Sequence, residues 1–160
     1  MADFIQLKKD NIIRIGIQDY NGNDTGNRLE FDLEDIELPL KYQMCIEKHK
    51  DNVKYLKMQM VIIDKKQDKK GKKLLSSNEE EKIKLVKEFY KREMEALDLF
   101  LGEGGTLKLL NGRNPYYSMY DDINEMLEPI LPIIEKGFGK IEDKIKNKYK
   151  VDTKESGILE

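Results

Sequence analysis

Between residues 11 and 19 isoleucines alternate with polar or small residues, Ile13, Ile15 and Ile17 against Arg14, Gly16 and Gln18. A period of two marks a half-buried strand. The next stretch, YNGNDTGN at 20–27, is made of residues that tolerate positive φ, and alternation resumes through Leu29, Phe31 and Leu33. The pattern predicts a β-hairpin over 11–33 with its loop at 20–27. Isolated hairpins are marginal in water, so this one must pack on helices or add to a partner's sheet.

The period then lengthens. Pro39 suits the first turn of a helix over about 39–64, with Asp35 and Glu37 near its positive end. Tyr42, Ile46, His49, Val53, Leu56, Met60 and Ile63 follow in steps of four and three. Such a stripe serves either as a core face or as an oligomer seam, and spacing alone leaves both open. A second helix over 77–101 is expected to open on Ser77, with Glu80 completing a capping box, and to stop at Gly102. Its apolar face is Ile83, Val86, Tyr90, Met94, Leu97 and Leu101.

Gly102, Gly104 and Gly105 read as a flexible hinge, and Thr106 as the cap of a short turn closed by Gly112. Asn114 and Pro115 are expected to start a helix over 115–136, kinked by Pro129 and Pro132. Gly137-Phe138-Gly139 reads as a break before a last helix at 140–149. The fold expected is α+β and mainly α, an N-terminal β-hairpin followed by a bundle of two long helices and two or three shorter ones. Residues 1–150 form one domain in this reading, with a lysine-rich linker at 64–76 and a disordered tail at 151–160.

Composition narrows the class. With 160 residues, 38% charged and 39% hydrophobic, the chain suits a single domain of helices with charged outer faces. Its longest apolar runs, 60–63 and 130–134, fall far short of a membrane span. The opening MADFIQLKKD lacks the pattern of a signal peptide, and a cytoplasmic protein is expected. Charge is segregated: residues 19–37 hold seven acids against Arg28, whereas 65–73 holds six lysines against Asp68. The lysines are expected to be a mobile, solvated link that meets the acidic hairpin or an acidic partner. No arginine or aromatic is interleaved for base stacking, which leaves a nucleic-acid-contacting regulator as a minor alternative.

Candidate chemistry is sparse. Cys45 and His49 lie one helical turn apart, but there is no second Cys or His in the chain to complete a tetrahedral metal site. GEGG lacks the Gly-Lys-Ser/Thr ending of a phosphate loop. No catalytic residue, metal ligand or cofactor site is predicted, and an enzyme is not expected.

What stands out is an apolar segment rich in adaptable side chains. Tyr116, Tyr117, Met119, Tyr120, Ile123, Met126 and Ile130 are the candidate partner-binding residues, because methionine packs flexibly and tyrosine offers rigid area with a polar tip. For several of these, packing into the protein's own core is the competing role. The segment ALDLFLGEGGTLKLLNGRNPYYSMYDDINEMLEPILPIIEK, Ala96 to Lys136, resembles the tail assembly chaperones of long-tailed bacteriophages of Gram-positive hosts. The likeness lies in a charged helix ending in Phe-Leu-Gly-Glu-Gly, a leucine-containing turn, a Gly-Arg-Asn-Pro restart and an apolar helix with a glycine break. It implies a small, non-enzymatic helical protein of the host cytoplasm. Such a protein coats the tape measure protein, presents it to tail tube subunits, and is often also made in a longer frameshifted form. The hairpin and lysine linker depart from the simplest such pattern and leave a structural tail subunit open.

Overall fold

The computed structural model describes residues 3–149. It is mainly α with a small β part, a two-stranded antiparallel hairpin followed by five helices. The predicted tail at 151–160 lies outside the described residues.

Strands β1 (Ile12–Gln18) and β2 (Asp24–Asp32) pair Ile13 with Phe31 and Ile15 with Leu29. Alternation therefore delivers one apolar face, and Leu29 and Phe31 are fully buried. The turn is shorter than the predicted 20–27 loop. The Asp19 carboxylate accepts from the backbone N–H groups of Asn21 and Asn23, both at 2.9 Å, and tightens the chain reversal to 19–23. Residues 24–27 join β2 instead, where the Thr25 hydroxyl donates to the Ile17 carbonyl at 2.8 Å and Arg28 clamps Asp24 with two hydrogen bonds. The Arg28 guanidinium and the Gly26 N–H hold the Asp24 carboxyl down at about 2.

Helix α1 (Leu38–Asp64) carries proline in its first turn, and α2 (Ser77–Leu101) returns antiparallel to it. The capping box falls one residue earlier than predicted. Ser76 accepts from Glu79 N–H at 3.2 Å and donates its own N–H to Glu79 Oε1 at 3.3 Å. Both serines have a glutamate three positions on. Ser77 is otherwise engaged, its hydroxyl accepting from Lys69 N–H and donating to Asp68. The lysine-rich linker is thus braced at its root. Asp68 also accepts from Asn78 N–H, and the Asn78 side chain donates to the carbonyl of Ile63 in the last turn of α1 and to that of Lys66 just beyond it.

The predicted helix at 115–136 is two helices, and the predicted break at 137–139 is absent. Helix α3 (Gly105–Leu110) is followed by an irregular stretch, then α4 (Met119–Leu127) and α5 (Leu131–Tyr149). Asn114 and Pro115 do not start α4. The Arg113 guanidinium stacks on the Tyr116 ring at 3.7 Å, and the first helical residue is Met119, which drops wholly into the core. Pro129 removes a donor at the α4–α5 junction, where Ile130 N–H turns back to Leu127 instead. Pro132 sits in the first turn of α5, where no intrahelical donor is lost. Gly137 is buried inside α5, and a Cβ there would meet Leu33 Cδ2 at 3.1 Å, so its role is close approach of the helix to the hairpin.

One core joins these parts. Leu29 and Phe31 meet Leu97, Phe100 and Leu101 of α2, with Met119, Ile123 and Leu127 of α4 and Ile134 of α5. The Phe31 and Phe100 rings lie 5.1 Å apart, and Tyr42 meets Phe100 edge-on at 5.0 Å. The core gathers the N-terminal half of α1 and the C-terminal half of α2, while the linker end of the pair projects as an arm. No described helix is long and apolar enough to cross a membrane.

Candidate functional site

Two places gather unusual side chains. The first is buried, at the base of the arm. Glu93 of α2 has no exposed surface; its Oε2 lies 2.5 Å from His49 Nδ1, and its Oε1 accepts from Asn52 at 2.9 Å. The Tyr120 ring stacks flat on the His49 imidazole, 3.6 Å between centroids. Cys45, one turn before His49, is also buried, and burial followed by the Glu93 charge pushes its thiol up to about 11. Burial and then Glu93 likewise raise Tyr90, and burial is the main cause of the rise at Tyr120.

This chemistry opposes nucleophilic use. A thiol held at about 11 is protonated at neutral pH and is a poor nucleophile. Among the described residues no three His, Cys, Asp or Glu side chains are grouped to hold a metal ion. Hydrogen bonds join α1 and α2 in this cluster and the Tyr120–His49 stack adds α4, so it works as a registry node. Sequence reasoning missed Glu93. The available signal was an acid at a position that continues the α2 apolar stripe, between Tyr90 and Leu97.

The second place is a surface groove of about 450 Å³ between the hairpin turn and α3–α4, floored by Ile17 and Leu110 and edged by Tyr20, Arg113, Tyr116 and Met126. Tyr117 stands 91% exposed, Tyr20 is fully exposed, and Leu107 and Met126 present about half their surface. Burial raises the Tyr116 hydroxyl, helped by its hydrogen bond to Asp122.

The seven predicted partner-binding residues divide between these surroundings. Tyr117 and Met126 are exposed, and Tyr116, Tyr120 and Ile130 are half-buried against the core. Met119 and Ile123 are corrected to core residues, both wholly enclosed, because with Leu127 they form the one face of α4 that packs on the body. Tyr20 and Leu107, absent from the sequence-derived set, join the exposed group. A large aromatic in an otherwise polar turn was the signal for Tyr20.

Of the hinge glycines, Gly105 is buried as the first residue of α3, and the corner is braced by Asp98. That carboxylate accepts from Gly104 N–H at 3.3 Å, Thr106 N–H at 2.8 Å and the Thr106 hydroxyl at 2.7 Å. Asp98, and not Thr106, therefore caps α3. The seam candidates Tyr42, Ile46, Val53, Leu56 and Met60 are half-buried, and Ile63 is buried. Tyr42 and His49 both meet α2, which places this stripe on the α1–α2 contact. A different α1 face is exposed, including Leu40, Met44, Met58 and Ile62.

Comparisons of the chain with family models, with curated proteins and with solved structures give no match.

Proposed function

We propose that this protein is a phage tail assembly chaperone, a non-enzymatic binding module of the host cytoplasm that shields the tape measure protein and helps recruit tail tube subunits. The observation that carries the binding role is the groove between the hairpin turn and α3–α4, with Tyr20 and Met126 exposed at its edge, together with the exposed Leu107 of α3 and Tyr117 next to Tyr116 in the chain. Tyrosine and methionine accept varied apolar faces at low ordering cost, as a client made of many amphipathic helical segments requires. The client's identity rests on the resemblance at Ala96–Lys136.

Co-expression with a tape measure fragment tests the proposal. The fragment is expected to become soluble with this protein, and to lose that benefit with Tyr117→Asp combined with Met126→Asp. A fragment equally insoluble with and without the chain sinks the chaperone role. A structural tail subunit is the second reading, favoured by a sheet of only two strands, whose outer edges offer sites for strand addition. Mass spectrometry of purified particles separates the two, because a subunit persists in stoichiometric amounts and a displaced chaperone does not.

A further inference from the structure

A second groove, of about 580 Å³, runs between the base of the hairpin and α5. Its apolar lining is Leu33, Ile36, Ile133, Ile141 and Ile145, of which Ile36, Ile133 and Ile145 are exposed in the folded chain. Lys136, Lys140 and Lys144 line the helix wall at successive turns, and Glu34 stands on the hairpin wall, 3.8 Å from Lys144. Asn11 lies at its mouth, and the backbone carbonyl of Asn11 accepts from Leu33 N–H.

The residues just before Asn11 have the complementary character. Residues 3–10 have no regular structure, and Phe4, Ile5 and Leu7 are 92%, 94% and 88% exposed. Three large apolar side chains within four residues all stand in water, which marks an interaction segment. Asp3, at one end of the peptide, is opposite in sign to the lysine wall of the groove.

We propose that the hairpin–α5 groove receives the Phe4–Leu7 segment of a second copy of this chain, giving a dimer by reciprocal exchange of N-terminal leads. In the single chain the lead departs from the groove's mouth, yet none of residues 3–10 lines it. Asp10 turns the chain there, accepting from Ile12 N–H and pairing with Arg14. Burying each large apolar side chain removes on the order of 100 Å² from water. Two exchanged leads with their matching groove surfaces reach about 1,200 Å², the lower bound for a specific interface. Exchange is a symmetric, closed arrangement and leaves no groove empty.

The test uses the full-length chain with p-benzoylphenylalanine in place of Phe4, mixed as isotope-labelled and unlabelled copies and irradiated. Mixed-isotope crosslinks from position 4 to the 133–145 segment are the expected result. Crosslinks confined to one copy, or none to that segment, overturn the proposal. Light scattering supplies a second readout. The unaltered chain is expected to dimerise, and Phe4→Asp with Leu7→Asp, or Ile133→Asp alone, to weaken the dimer by more than about tenfold, with circular dichroism unchanged. A monomeric parent chain, or a dimer indifferent to these changes, also overturns it. Neither readout involves the groove at Tyr20 and Met126 or the exposed Tyr117, so failure here leaves the chaperone proposal standing.

Discussion

Glu93 is enclosed on every side, and its two oxygens are taken by His49 and Asn52. Truncating it strands both partners in a poorly hydrated place. Glu93→Ala is therefore expected to cost about 3 kcal/mol in urea unfolding. The double variant Glu93→Leu with His49→Leu should recover most of that loss, since replacing both members of a buried pair by apolar groups is often neutral. A double variant as unstable as the single one shows that more than pairing is at stake. Cys45 gives a pH prediction at the same node. Its thiol is raised from an ordinary value of 9 to about 11 in the folded chain, so the folded state holds the proton more tightly than the unfolded one. The resulting stabilisation is complete below pH 9 and is lost as pH rises from 9 to 11. Unfolding curves at the two ends of that window should differ by on the order of 2 kcal/mol more for the parent chain than for Cys45→Ala. An equal decline in both chains assigns the loss to other groups.

At the level of elements, glycines separate what the sequence exposes from what it hides. A Cβ on Gly105 would lie 2.5 Å from Leu101 Cβ, an atom fixed to the α2 backbone. Gly105→Ala is expected to destabilise by about 2 kcal/mol in thermal or chemical unfolding. At Gly137 the nearest atom is the flexible end of Leu33. There the gain in helix propensity, about 1 kcal/mol, offsets a mild clash, so Gly137→Ala should be near neutral. A large loss at Gly137 would mean that the hairpin cannot yield toward α5. Local pattern correctly foretold the hairpin, the two long helices and most of their apolar stripes, because alternation and heptad spacing are properties of neighbours in sequence; Ile83, expected on the apolar face of α2, is instead 55% exposed. It misread Gly137-Phe138-Gly139 as a break because the compensating contact, Leu33, lies a hundred residues away. The Ser76 cap was hidden for a related reason, Ser77 being claimed by Asp68 and Lys69 across the linker. For the candidate groove, the tyrosine and methionine content of 116–126 was legible, but the division into buried Met119 and Ile123 and exposed Tyr117 and Met126 was not. That division depends on which face of α4 meets α2 and the hairpin, a contact between elements distant in sequence, and on Tyr117 falling in the irregular stretch before the helix.

Across the whole molecule, the acidic hairpin precedes α1 and the lysine-rich linker follows it, so the 27 residues of that helix hold the two charged regions about 40 Å apart. The ion pair that the linker lysines make is with the helix that follows them, Lys66 to Glu81 of α2. The arm has a thinner interior than the body. Val53, Leu56 and Met60 are only half-buried there, while every residue of the shared core outside α1 comes from the hairpin, the C-terminal end of α2 or the later helices. Glu93 and His49 stand at the boundary, and the far end is held by Asn78, Asp68 and the Lys66–Glu81 and Lys82–Asp64 ion pairs. Exposed ion pairs contribute little, and partial burial leaves the arm with less apolar stabilisation per residue than the body. Residues 53–63 and 83–89 are therefore expected to open as a unit below the global unfolding free energy. Native-state hydrogen exchange measures this directly. Amides in those segments should show protection factors about ten- to a hundredfold lower than those of Leu97, Phe100 and Ile123, with Glu93→Ala moving the boundary toward Leu97. Uniform protection along α2 would mean that arm and body unfold together, and that the buried node at Glu93 divides nothing.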